Sequence, residues 1–175
     1  ENIPRRWEDW CKSIEIQVLE PGIYELLPLV YMRIRKLVPS DPLINTLRGI
    51  YKRNWTKNML IFRQLEQVVE AFSDANIDAL VLKGMSLVPY YEMELGARMM
   101  DDSDLLVPES KVNQAAKILV AMGWRTDPGV SLQTLSIQII PLHHAWCFRQ
   151  NNVRLDLHWQ PVHREYGDID DGCLW

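Results

Sequence analysis

Asp102 and Asp104 stand one residue apart in the stretch "ARMMDDSDLLVPES", residues 97–110, directly before the apolar run Leu105, Leu106 and Val107. Side chains on a strand alternate between faces, so both carboxylates would leave one face while Ser103 and Leu105 leave the other. The strand rise separates the two acids by roughly 6 to 7 Å, and carboxylates held that close repel unless a cation lies between them. Taken alone, the stretch has two readings, a metal-binding pair or an acidic turn ahead of a strand. A third carboxylate, Asp156 in "VRLDLHW", favours the first, because it projects from the polar face of a second alternating segment.

Clustered carboxylates on strands supply hard oxygen ligands, and phosphoryl or nucleotidyl transfer to a hydroxyl uses such a set. Two Mg²⁺ ions about 3.5 to 4 Å apart clamp the attacking oxygen and the leaving pyrophosphate oxygen of an in-line displacement. Gly84, placed where a strand gives way to a helix, would let the backbone approach a phosphate. The N-terminus of the following helix favours anionic oxygens.

These residues need elements to hold them. "IDALVLKG", residues 77–84, reads as a short apolar strand ending at Gly84, and "MSLVPYYEM" as a short helix. The aspartate stretch supplies a second strand ending near Val107. "PESKVNQAAKILVAMGW" is predicted to be a helix, with Val112, Ala116, Leu119 and Met122 at helical spacing and Gly123 as its C-terminal cap. "HAWCFRQ" and "VRLDLHW" flank Asn151-Asn152, a pair that tolerates the left-handed conformation of tight hairpins. In the second arm Val153, Leu155, Leu157 and Trp159 share one face, and Arg154, Asp156 and His158 the other.

Residues 1–76 read as helical, punctuated by Pro4, Pro21, Pro28, Pro39 and Pro42. The clearest start is "PSDPLINTL", where Ser40 or Asp41 can cap and Pro42 suits the first turn. Leu43, Leu47, Ile50, Leu60, Leu65, Val68, Val69 and Phe72 form an apolar stripe that calls for burial. This leader is expected to pack on the back of the sheet, where Leu105, Val107, Leu155 and Leu157 should point.

A hydrophobic content of 47% and seven tryptophans describe a chain that folds. The net charge of −4 and pI near 5.6 offer no broad basic field for a nucleic-acid backbone. Cys11, Cys147 and Cys173 are distant and odd in number, neither a disulfide framework nor paired zinc ligands, which fits a reducing, cytoplasmic setting. His143 and His144 with Cys147 do not make a zinc cluster, because alternation sets His144 opposite Cys147. No apolar run approaches the ~20 residues of a membrane span. The start at Glu1 and the end at "DDGCLW" are what a fragment of a longer protein would show, so the core is expected to be cut short at its C-terminus.

"LVLKGMSLVPYYEMELGARMMDDSDLLV" followed by "VRLDLHW" resembles the bacterial family of uncharacterised nucleotidyltransferases within the polymerase-β-like superfamily. That family's pattern is an apolar strand ending Leu-Lys-Gly, a Leu three residues on, an Arg four residues before an Asp-x-Asp, then Leu-Leu-Val, and a later Asp-Leu-His-Trp. The matching residues are Leu82, Lys83, Gly84, Leu87, Arg98, Asp102, Asp104, Leu105 to Val107, and Asp156 to Trp159. The chain departs from the superfamily in carrying Gly-Met-Ser for the usual Gly-Ser or Gly-Gly, a longer gap from Gly84 to Asp102, and Ser103 between the aspartates.

The resemblance implies an α+β fold, N-terminal helices plus a small mixed sheet of polymerase-β-like nucleotidyltransferase type, with residues 1–76 as a helical leader and 77–175 as the core. It implies a nucleoside triphosphate substrate, Mg²⁺ or Mn²⁺ as cofactor, and an acceptor that is a protein side chain, a small molecule or RNA. Asp102, Asp104 and Asp156 are then the metal-binding and catalytic carboxylates, with Asp156 a candidate general base. Gly84 and Ser86 look like the phosphate-binding turn. Arg98 is a candidate phosphate clamp or the partner of a nearby aspartate; Lys83 touches a phosphate or ends a solvated strand; His158 orients Asp156, contacts substrate, or makes an ordinary hydrogen bond. The rivals are a non-catalytic nucleotide- or partner-binding module on the same fold, and a structural interaction domain. Three acids sharing a pocket repel without metal, so replacing Asp104 by Asn is expected to leave the metal-free protein at least as stable as the parent.

Overall fold

The computed structural model describes residues 3–13, 15–90, 94–161 and 174–175. The chain divides into two units, Glu1–Met59 with Glu92–Met100, and Leu60–Tyr91 with Asp101–Trp175. Among the described residues, no helix is long and apolar enough to cross a membrane.

The first unit is helical. Its helices are α1 (Ile3–Ser13), α2 (Pro21–Ile34) and the opening part of α3, which spans Pro42–Asp74 and continues into the second unit. Asp41 starts α3 as the sequence predicts: its Oδ1 accepts from the Leu43 amide at 2.8 Å, and Pro42 fills a position whose amide needs no partner. The same carboxylate accepts from the Trp7 indole at 2.7 Å, so the cap also ties α1 to α3. Trp7, Leu27, Tyr31, Ile34, Ile44 and Leu47 form the buried core of this unit. Residues 94–98 are held to α3 by two asparagines one turn apart. Asn54 donates to the carbonyls of Gly96 and Arg98, and Asn58 to those of Leu95 and Arg98.

The second unit carries a five-stranded mixed sheet in the order β1-β2-β5-β4-β3. The strands are β1 (Leu80–Leu82), β2 (Asp102–Leu106), β3 (Arg125–Thr126), β4 (Ala145–Gln150) and β5 (Val153–His158). The fold is thus α+β, as expected. β1 ends at Leu82, two residues before the predicted end at Gly84, because Lys83 takes a left-handed φ of 52° and opens α4, Lys83–Tyr90. Helix α5 is Val112–Ala121, and its C-terminus closes as read from the sequence. Gly123 has φ +93°, and the amides of Gly123 and Trp124 return to the carbonyls of Val120 and Leu119 at 3.0 and 2.9 Å. The short strand β3 and the helical stretch of α6 (Leu132–Thr134) with its continuation Leu135–Ile139 have no counterpart in the sequence reading.

The β4–β5 hairpin turns at Asn151, whose φ of 53° is the left-handed value the Asn pair was expected to provide. Leu105, Val107, Leu155 and Leu157 are all fully buried. The second half of α3 buries Ile61, Leu65, Val68 and Phe72, and Gln64 there donates to Gln150 of β4 at 3.1 Å. Gln150 in turn donates to the carbonyl of Met122, just past α5, at 2.7 Å.

Candidate active site

β2 and β5 run parallel, with Asp102 opposite Arg154, Asp104 opposite Asp156 and Leu106 opposite His158. Partners across a sheet project to the same side, so period-two alternation gathers Asp102, Asp104, Arg154, Asp156 and His158 on one face. β4 adds Cys147, the antiparallel partner of Asp156. β1 adds Leu82, the partner of Asp104, and after it Lys83.

Asp104 is the pivot of this face. It is only 3% exposed, and its Oδ1 takes two partners: Lys83 Nζ at 2.5 Å and His158 Nε2 at 2.9 Å. Burial pushes the Asp104 carboxyl up, but the hydrogen bonds from His158 and Lys83 outweigh it and leave the net shift downward. Asp102 goes the other way: burial, then the negative charges of Asp104 and Asp156, raise it. Lys83 is raised chiefly by its hydrogen bond to Asp104. The left-handed backbone of Lys83 costs roughly 1–2 kcal/mol for a residue with a Cβ, and it lies at the point where the chain turns from β1 into α4.

Asp156 is compensated less well. Its Oδ1 is buried without a hydrogen-bond donor, and Arg154 Nη2 stands 3.9 Å from it. Among the described residues, no three His, Cys, Asp or Glu side chains form a ready-made metal cage. An orphaned carboxylate oxygen beside a second carboxyl, raised by burial and then by the charges of Asp104 and Asp156, is nonetheless an environment that a cation would relieve. Hard oxygen donors of this kind fit a divalent cation such as Mg²⁺ or Mn²⁺.

The remaining predicted residues fall in several places. His158 bonds Asp104 rather than orienting Asp156; the parallel register sets it one diagonal step from Asp104, within reach of a ring nitrogen. Gly84 and Ser86 lie in α4, where the Ser86 hydroxyl donates to the Lys83 carbonyl at 2.8 Å. Arg98 belongs to the first unit, where its carbonyl receives both asparagines. Trp159 is wholly buried, its indole donating to the His143 carbonyl at 2.7 Å. Cys147 was missed as a neighbour of the site, although counting outward from the Asn151-Asn152 turn pairs it with Asp156. Burial pushes its thiol up.

The family model described as "Uncharacterised nucleotidyltransferase" matches residues 24–175. No curated protein and no solved structure gives a match.

Proposed function

The chain belongs to the uncharacterised nucleotidyltransferase family, and from that premise we propose that it moves a nucleoside monophosphate from a nucleoside triphosphate to a hydroxyl acceptor by two-metal catalysis. The observation that carries the proposal is the register that sets Asp104 opposite Asp156, with Asp102 on the same face. A spacing of two along one strand and a partner on the next bring three carboxylates to one patch, the donor set such a transfer requires.

In the reaction, the acceptor oxygen forms a bond to the α-phosphorus as the bridging α–β bond breaks and pyrophosphate leaves. Asp102, Asp104 and Asp156 would hold Mg²⁺ or Mn²⁺, whose chemistry there is to polarise the phosphoryl oxygens and stabilise the charge on the leaving group. Asp156 is the candidate base for the acceptor's proton, since its Oδ1 has no hydrogen-bond donor and is open to accept one. His158 fixes the Asp104 carboxylate from a buried position. Gly84 and Ser86, at the start of α4, would meet the phosphate chain. The acceptor is a protein side chain, a small molecule or RNA.

The test is pyrophosphate release from each of the four NTPs with Mg²⁺ and with Mn²⁺, in the presence of protein, small-hydroxyl and RNA acceptors. Release by the parent that Asp102→Asn and Asp104→Asn abolish is the expected result. Nucleotide binding without release in any combination would move the non-catalytic binding module ahead.

A further inference from the structure

The Lys83 ammonium occupies one of the carboxylate oxygens that Asp104 could offer a metal ion. It lies 2.5 Å from Asp104 Oδ1, and the two partners differ sharply in freedom: the Lys83 side chain is 61% exposed, the Asp104 side chain 4%. The carboxylate is also anchored by His158 Nε2 on the same oxygen, from a side chain that is 8% exposed. If the pair separates, the lysine is therefore the partner that moves, and Asp104 keeps its orientation. An ammonium and a divalent cation cannot both contact one carboxylate oxygen without strong repulsion. The backbone of Lys83 is held at φ 52° beside Gly84, at the start of α4, and an uncommon conformation in such a place is where a functional demand tends to show.

We infer that Lys83 is a resident counter-ion of Asp104, exchanged for the incoming metal and transferred to the nucleotide's triphosphate chain, so that the site takes metal together with nucleotide in preference to free metal. The inference rests on the nucleotidyl-transfer reading above and adds an order to it. Free metal must displace the ammonium into solvent. Metal arriving on a triphosphate brings the displaced ammonium a new anionic partner, for which lysine is a common point-charge ligand. Coupling of this kind is reciprocal, so the triphosphate gains from the metal as much as the metal gains from it.

The experiment measures, on the full chain by calorimetry, dissociation constants for Mn²⁺ alone and for the Mn²⁺ complex of inorganic tripolyphosphate. It compares the parent with Lys83→Asn, which tolerates the left-handed backbone, and with Lys83→Arg, which keeps the charge. Lys83→Asn is expected to bind Mn²⁺ alone about tenfold more tightly than the parent, the equivalent of one charge-assisted hydrogen bond no longer displaced. The same variant should bind the Mn²⁺–tripolyphosphate complex more weakly than the parent, while Lys83→Arg keeps the parent's order of preference. Lys83→Gly, also at ease at this φ, carries the comparison if Lys83→Asn does not fold. Unchanged or weaker binding of Mn²⁺ alone by the folded neutral variants would overturn the exchange, as would equal loss for both ligands. Mn²⁺ binding that Asp104→Asn leaves untouched, or none by the parent, would overturn the active-site assignment and the exchange with it.

Discussion

Asp104 and Asp156 face each other across the parallel β2–β5 pair, so two carboxylates far apart in the chain leave the sheet side by side. A slip of one residue in that pairing would send every β5 side chain to the opposite face. Leu155 and Leu157, both fully buried on the other face, hold the register against such a slip.

Asp156→Asn should abolish pyrophosphate release while leaving the fold intact. Loss of a positioned base lowers turnover by about 10²- to 10⁴-fold. Steady-state kinetics beside circular dichroism check this, and turnover within a few-fold of the parent would remove Asp156 from the chemistry.

Asp102 and Asp104 should respond in opposite directions to loss of charge, which corrects the sequence-level expectation for Asp104. The folded state favours Asp104's ionised form, held by His158 and Lys83, so its contribution is present above the ordinary carboxylate range and lost as pH falls through its lowered value. Asp104→Asn in metal-free buffer at neutral pH should cost about 1–3 kcal/mol, as befits a buried charge-assisted pair. Asp102 is raised by burial and by its acidic neighbours, so the folded state disfavours its charge and Asp102→Asn should melt above the parent. Millimolar Mn²⁺ should stabilise the parent and neither variant. Thermal melting reads all of these, and a stabilised metal-free Asp104→Asn would contradict the assignment of partners.

Tyr51 should titrate late. Burial and its 2.8 Å hydrogen bond to Glu94 push its hydroxyl from 10.0 to about 12. The folded state holds this proton more tightly than the unfolded chain does, so the stabilisation is complete below pH 10 and lost as pH rises towards about 12. Tyrosinate absorbance of the parent should show a component near that value that Tyr51→Phe lacks, and identical curves would count against the bond.

Gly96→Ala should destabilise the first unit. A Cβ there would lie 2.6 Å from Tyr51 Cζ, 2.7 Å from Cε2 and 3.1 Å from Trp55 Cβ. The Tyr51 ring is fixed at its hydroxyl by Glu94 and stacks beside Tyr31 with centroids 5.3 Å apart, so it cannot swing clear without losing both contacts. Overpacking of this kind costs about 1–3 kcal/mol. Urea unfolding followed by fluorescence measures it, and an unchanged midpoint would show that the ring gives way.

The sequence by itself determined what depends on neighbours along the chain. The alternation of "VRLDLHW" separates Leu155 and Leu157 from Asp156 because strand geometry has a period of two, whatever the strand pairs with. Asp41-Pro42, Asn151 and Gly123 announce a helix start, a turn and a helix end because each answers a local backbone demand, and the structure realises all three. Tertiary structure alone decided which strands meet and in what register, and so which side chains share a patch. That Asp104 lies opposite Asp156 and that His158 reaches Asp104 instead of Asp156 follow from the parallel pairing of β2 with β5, and that the Lys83 ammonium rests on Asp104 follows from the antiparallel pairing of β1 with β2. The end of β1 at Leu82 belongs with them. Lys83 leaves the strand through a left-handed turn that its type does not favour, in a setting where its ammonium meets the buried carboxylate of Asp104. Local propensity describes single residues and short spans; the partner of a charge is chosen by the packing that brings distant strands to one sheet.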